Sequence, residues 1–339
     1  MAVRIAVIGN INADFVFRVP RLPVAGETLP GSGFFTAPGG KGANQAVAAA
    51  RLAAEVTFIG CVGDDDLGIA MVGGLAAEGI DVSRVRVDPA SHTGTALIMV
   101  EDSGENSIVL ASGANLSMTP EDIARHRDVL SASDALLLQQ EMSVETVAEA
   151  ARLGREAGCR VILDPAPAQH AIPNLWRGTD VVCPNETEAQ ALVPDADTSS
   201  VAGALACADR MRGAGVEYAA MKLGDKGCVI SGPEGRRHLP AFDIVAVDTT
   251  AAGDAFTAGL AVALCEGLGQ DQAGVFANAC GALAAMGYGA QPSLPTRARV
   301  EEMVARGRAS AADAPQRASA GVSRQCTRAK RDCTRRGAG

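Results

Sequence analysis

From Thr119 onward short apolar runs alternate with helical periods, and that rhythm limits the possible folds more than any other feature of the chain. A helix near 120–130 precedes a strand at 135–139, and a helix at 144–157 precedes a strand at 160–164. The next strand falls at 180–183, followed by helices to about Gly213. Residues 218–223 and 227–230 read as a strand pair around Gly224-Asp225-Lys226, and 4–9 as a buried first strand ending in a glycine turn. Strands separated by helices pair in parallel through right-handed crossovers. The expected fold class is therefore α/β, a doubly wound, mostly parallel sheet with helices on both faces. No second or third glycine follows Gly9 in a G-x-G-x-x-G pattern, which argues against a dinucleotide fold.

One region breaks the rhythm. Phe15, Phe17 and Val19 alternate with other residues, and 28–37 is punctuated by Gly and Pro. Residues 95–100 and 108–110 flank Ser103-Gly104-Glu105-Asn106, a hairpin signal. These segments, about 12–37 and 92–112, predict a small β-sheet interleaved with the main one. Aromatic residues make up only 3% of the 339, consistent with small-residue helices packed on a buried sheet. An open α/β unit reaches this length as one domain, here 1–307.

The net charge of −9 hides an asymmetry: 306–339 holds nine Lys/Arg and two Asp, a net of +7, which leaves −16 on 1–305. The body is thus not expected to bind nucleic acid. Residues 308–339 lack an apolar period and predict a disordered basic tail, or alternatively an arm for an anionic surface. The nine cysteines are scattered without a C-x-x-C pair, and most lie in apolar runs. Residues 3–8 are too short to cross a membrane and no secretory apolar region opens the chain, so the expected compartment is the cytosol. The four histidines pair with no nucleophile or cysteine cluster and receive no role.

Two loops carry the chemistry. Asp248-Thr249-Thr250-Ala251-Ala252-Gly253-Asp254 follows a β-rich run at 242–247 and opens a small-residue helix. Thr249 and Thr250 offer capping hydroxyls, and Ala251, Ala252 and Gly253 leave backbone N–H groups uncovered. A helix N-terminus of that kind attracts anions. Asp254 adds a carboxylate base beside it, the pairing that phosphoryl transfer to a hydroxyl needs. The same stretch also fits a capped helix with a surface aspartate. Pro38-Gly39-Gly40-Lys41-Gly42-Ala43-Asn44 leads into a second apolar helix. It is not a Walker A loop, and it also fits an ordinary strand-to-helix turn.

The two loops, together with Gly9-Asn10-Ile11-Asn12-Ala13-Asp14, Pro184-Asn185-Glu186-Thr187-Glu188-Ala189 and Gly289-Ala290-Gln291-Pro292-Ser293, resemble the ribokinase family of carbohydrate kinases, the phosphofructokinase B type. The five motifs span about residues 5–295 in the family's order. The resemblance implies ATP-dependent phosphorylation of D-ribose at O5 to ribose 5-phosphate, with another sugar or nucleoside (deoxyribose, fructose, adenosine) as the alternative. By the same resemblance the small sheet is a lid over the sugar and often a homodimer contact. It assigns Asn12, Asp14, Gly40, Lys41, Asn44 and Glu141 to the sugar. Asp254 is the catalytic base, with the N–H groups of Ala251, Ala252, Gly253 and Asp254 as the anion hole. Asn185, Lys222, Gly224, Asp225, Gly227, Gly253 and Asn278 fall on the ATP side. Lys222 departs from a threonine common in the family, although lysine occurs in related sugar kinases. Glu188 is implied to organise Mg²⁺ through water. Asp248, Thr250, Ala284, Gly287, Gly289 and Ser293 match a K⁺-binding loop.

Overall fold

The chain is described from a computed structural model, which covers residues 2–103, 105–167 and 175–307. The expected tail at 308–339, Gly104 of the hairpin and His170 lie outside the described residues.

The apolar run RIAVI forms β1 (Arg4–Ile8). The chain then leaves the main sheet for β2 (Asn12–Val19) and β3 (Gly33–Gly39), and returns through α1 (Lys41–Arg51). A βαβ unit follows: β4 (Glu55–Gly63), α2 (Asp66–Ala77) and β5 (Asp81–Asp88). β6 (Gly94–Glu101) and β7 (Asn106–Ala111) complete the small sheet. Then come α3 (Pro120–Ala124), α4 (Arg127–Ala132), β8 (Ala135–Leu138), α5 (Val144–Ala157) and β9 (Arg160–Leu163). The last part runs β10 (Val181–Val182), α6 (Glu186–Leu192), α7 (Val201–Gly213), β11 (Tyr218–Lys222), β12 (Cys228–Gly232), β13 (Gly235–Leu239), α8 (Ala252–Cys265) and α9 (Gln270–Ala285).

Among the described residues the large sheet has the order β13-β12-β11-β10-β9-β8-β1-β4-β5. It is parallel from β5 to β11, and only the β11–β12 and β12–β13 pairings are antiparallel. Its side chains alternate between two cores, as the strand period of two requires. Ile5, Val7, Leu137, Ile162 and Val181 pack with α1, α8 and α9 on one face. Ile8, Leu136, Leu138, Val161 and Val182 pack with α5 and α7 on the other. Burial on both faces explains why these strands read as continuous apolar runs. The small sheet has the order β3-β2-β6-β7, with β2 and β6 parallel and the outer pairs antiparallel.

Three expectations need correction. The helix at 120–130 is two short helices: Arg125 and His126 donate back three residues, to the Asp122 and Ile123 carbonyls, and this tightened turn ends α3. The run at 242–247 joins no sheet and ends in a bend at Val247. The strand that pairs with β12 is instead β13, whose Arg236-Arg237-His238 hid it from a hydrophobic reading. The hydroxyls of Thr249 and Thr250 do not cap α8; the N-cap residue is Ala251 and it makes no side-chain cap bond.

Candidate active site

The polar residues gather at the carboxyl ends of the parallel strands, where open α/β sheets place their ligands. Asn10 and Asn12 follow β1, Glu141 follows β8, Asp164 ends the β9 run, Asn185 follows β10, and Lys222 ends β11. The N-termini of α1 and α8 meet this row.

Asp254, 5% exposed, sits in the first turn of α8. Its Oδ2 accepts from Asn44 Nδ2 at 2.9 Å and its Oδ1 from Gln45 Nε2 at 3.2 Å. Burial raises its pKa above the ordinary carboxylate range; the positive charge of Lys41 opposes the shift and the negative charge of Asp164 adds to it. Lys41 opens α1. Burial works against its charge, but Asp254, Asp164, Glu141 and Glu188 together hold its pKa above the usual lysine value. The remaining oxygen of Asn44, Oδ1, is buried and has no partner among the described residues.

The sequence-predicted sugar residues come together here. Asp14 lies in β2 against β3, and its carboxylate fits only because Gly39 has no side chain: a Cβ there would fall 2.1 Å from Asp14 Oδ2. Gly40, the N-cap of α1, has φ +91°, a conformation that glycine adopts without strain. It lies against the backbone of Asn10 and Asn12. Asn12 Oδ1 accepts from Asn115 Nδ2 at 2.9 Å. Asn10 donates to Glu141 Oε2, and its Oδ1 receives Gly42 N–H at 3.0 Å. Burial first, then the charges of Glu141 and Asp254, push the pKa of Asp14 up to about 7. Burial likewise takes Glu141 to about 7, against the opposing charge of Lys41.

At the start of α8 the backbone is strained, since Ala251 has φ 60° without being glycine. Ala252 N–H is committed to the Thr249 carbonyl at 3.2 Å. Those of Ala251, Gly253 and Asp254 find no acceptor among the described residues. A cavity of about 620 Å³ opens directly from this turn. Lys222, Gly224, Asp225, Gly227, Gly253 and Asn278 line it, with Phe242, Ile244 and Phe256 as apolar walls. Asn278 Nδ2 donates to the Leu239 and Pro240 carbonyls at 3.0 and 3.3 Å, which fixes the chain entering that wall.

Asn185 and Glu188 form a reciprocal capping box at α6, Asn185 Oδ1 accepting from Glu188 N–H and Glu188 Oε2 from Asn185 N–H, each at 2.8 Å. Glu188 is nevertheless buried and turned to Lys222, 3.9 Å away. On the far side of the α8 turn, Asp248 Oδ1 accepts from Thr250 N–H at 2.9 Å and its hydroxyl at 2.6 Å, and Oδ2 accepts from Gly289 N–H at 2.9 Å. Gly287 packs against Ser293, and its N–H bonds the Ala284 carbonyl at 3.1 Å. The expected cation loop is thereby tied to the α8 turn. Among the described residues no group of three or more His, Cys, Asp or Glu side chains converges on a metal position, and no helix is long and apolar enough to cross a membrane.

Sequence reasoning missed Asp164, Gln45, Asn10 and Asn115, all buried and hydrogen-bonded within the site. Asp164 had a signal, a lone acid ending an apolar strand; Gln45 and Asn115 had none that separates them from packing residues.

The family model of the pfkB family carbohydrate kinases matches residues 3–297. A ribokinase of Haemophilus influenzae is 42% identical over 302 residues, 88% of this chain and 98% of that protein. One of Bacillus subtilis is 40% identical over 302 residues, 88% of this chain and 99% of that protein. The solved structure of an Arabidopsis thaliana ribokinase complexed with ribose and ATP superposes with a TM-score of 0.82 at 32% identity, covering 90% of this chain and 99% of that one.

Proposed function

The chain belongs to the pfkB family of carbohydrate kinases and is an ATP-dependent sugar kinase, and from that premise we propose that it phosphorylates D-ribose at O5, giving ribose 5-phosphate. The observation that carries the mechanism is the place of Asp254: a buried carboxylate in the first turn of α8, between the 620 Å³ cavity and the Asp14–Glu141 cluster.

Asn12, Asp14, Gly40, Lys41, Asn44 and Glu141 bind the sugar. The unpartnered Asn44 Oδ1 suits a hydroxyl donor, and the carboxylates suit the vicinal diol. Asp254 takes the proton of the primary hydroxyl while that oxygen bonds to the γ-phosphorus of ATP and the bond from phosphorus to the β–γ bridging oxygen breaks. A base whose pKa is raised lies nearer the working pH, which favours the transfer. The free N–H groups of Ala251, Gly253 and Asp254 hold the charge on the migrating phosphoryl group. Ala252 supports the turn through Thr249.

ATP occupies the cavity, with Lys222 and Gly253 toward its phosphates and Gly224, Asp225, Gly227 and Asn278 around the nucleoside; Asn185 acts behind them, as the cap of α6. Mg²⁺, when bound with ATP, neutralises phosphate charge, and Glu188 suits a contact to it through water, having one carboxylate oxygen outside the capping box. Asp248, Thr250, Ala284, Gly287, Gly289 and Ser293, a carbonyl-rich set with one carboxylate, would hold K⁺, and a bound cation there would help to order the 251–254 turn. The small sheet serves as the lid. Its face opposite Asp14 carries Phe15, Phe17, Phe34, Leu97, Met99 and Val109 by register, an apolar surface suited to a second copy of the chain.

Coupled ADP release over a panel of sugars and nucleosides tests the assignment. Ribose is expected to give the highest kcat/KM; faster turnover of fructose or adenosine refutes it.

A further inference from the structure

Asp164 belongs to none of the recognised motifs, yet it occupies the centre of the buried charge network. It is 1% exposed, and its two oxygens face different halves of the site. Oδ1 accepts from Lys222 Nζ at 2.7 Å. Oδ2 accepts from Gln45 Nε2 at 3.0 Å and from Thr257 Oγ1 at 3.4 Å. The same Gln45 amide nitrogen lies 3.2 Å from Asp254 Oδ1, so one NH₂ group spans both carboxylates. Gln139 fixes that amide from behind by donating to Gln45 Oε1 at 2.6 Å. Lys222 Nζ in turn lies 3.5 Å from where a side chain on Gly253 would begin, beside the free N–H groups of α8.

We propose that Asp164 is a positioning residue that holds Lys222 at the phosphate side and Gln45 at the base side, so that ATP binding and the setting of Asp254 depend on one carboxylate. A lysine side chain is long and loses much rotamer freedom when fixed, and its ammonium is a mobile point charge. A short charge-assisted bond to a rigid strand end is what keeps it at the mouth of the α8 turn. Glu188, at 3.9 Å, is beyond hydrogen-bond reach and does not replace it. On the other oxygen, Asp164 and Asp254 share one amide NH₂, whose two hydrogens orient both acids. The inference rests on the cavity being the ATP site.

Asp164→Asn preserves size but removes the charge. Calorimetry with ATP in the absence of sugar should show affinity reduced roughly tenfold. Steady-state kinetics should show kcat down by about ten- to a hundredfold while KM for ribose stays within about twofold, because the sugar contacts are untouched. The double variant Asp164→Asn/Lys222→Met should bind ATP no worse than Lys222→Met alone, since Asp164 acts through that lysine. Wild-type ATP affinity and kcat in Asp164→Asn overturn the proposal, and so do losses that multiply in the double variant. Should the lone buried ammonium prevent Asp164→Asn from folding, the comparison of the double variant with Lys222→Met decides alone. A wild-type protein that binds ATP but phosphorylates no sugar refutes the proposed activity and leaves the ATP comparison in force.

Discussion

Asn44 Nδ2 donates to Asp254 Oδ2 over 2.9 Å across 210 residues of sequence, and this bond joins the N-terminal turns of α1 and α8. The two glycine-rich loops are therefore halves of one site, and the Asp254 carboxylate, the proposed base, is oriented by the loop that carries Gly40 and Lys41. Asp254→Asn removes the base while keeping its volume and one acceptor for these amides. The variant should fold, with a Tm at pH 8 no lower than wild type, because a neutral group replaces a carboxylate that burial disfavours. It should still bind ribose and lose about 10²- to 10⁴-fold in kcat. Calorimetry and turnover on one preparation check both; near-native kcat ends the role.

Much of this site was legible because chemistry and backbone constraint coincide in the same short stretches. Gly39-Gly40, Gly253-Asp254 and Asn185-Glu188 stand at strand or helix ends, where composition changes abruptly. Asn115 was not legible: it returns from β7 to bind Ile11 N–H at 3.0 Å and Asn12 at 2.9 Å, a pairing set by tertiary folding alone. β13 was hidden for a similar reason, since an edge strand open to solvent needs no apolar alternation. The run at 242–247 misled in the opposite direction. Phe242, Ile244 and Ala246 wall the cavity instead of pairing, and Val245 faces solvent.

The Asp14 carboxyl makes the ligand-free protein sensitive to pH. Its folded pKa of about 7 lies above the ordinary 3.8, so between these values the folded chain holds a proton the unfolded chain has lost. Stability from this group is greatest below about pH 4 and falls as pH rises to about 7. Asp14→Asn should therefore be more stable than wild type at pH 8, by roughly 1–3 kcal/mol or at least about 2 °C in Tm. The gain should vanish near pH 4, and ribose binding should be lost at every pH. Thermal melts at the two pH values check the sign; equal gains at both contradict it.

Gly39→Ala tests the close approach of β3 to Asp14. The new methyl meets both carboxylate oxygens, at 2.1 and 2.4 Å, and the acid must swing away from the sugar side. Overpacking of this kind costs about 1–3 kcal/mol. KM for ribose should rise by about tenfold or more while KM for ATP stays near wild type, since the cavity beyond α8 is remote from Gly39. A rise confined to KM for ATP contradicts the placement.

Asp248 gives the cation assignment its test. Burial pushes its pKa upward, yet the bonds from Thr250 and Gly289 hold it below the ordinary value, so it stays charged near neutrality. Turnover should be several-fold faster in K⁺ than in choline buffer, with Na⁺ between. Asp248→Ala unties the 289 turn from the 250 turn and should flatten that ratio while lowering kcat. An equal rate in all three salts for the wild-type protein removes the cation from the mechanism.

The proposed dimerisation through the small sheet rests on its register. Val109 pairs with Leu97, which pairs with Phe15, and Phe17 lies against Phe34 with the rings tilted and their centroids 4.8 Å apart. Val109 and Phe34 remain 59% and 57% exposed, apolar side chains that the rest of the chain leaves uncovered. Val109→Asp puts a charge on that face, on the edge strand β7, without touching Asp14, which points from the other side of β2. Light scattering after size exclusion should give a dimer for wild type and a monomer for the variant, since an unpaired carboxylate in a buried interface costs several kcal/mol. If the lid closes as a dimer element, the monomer should also bind ribose more weakly. A dimer that survives the charge shows that the copies meet elsewhere.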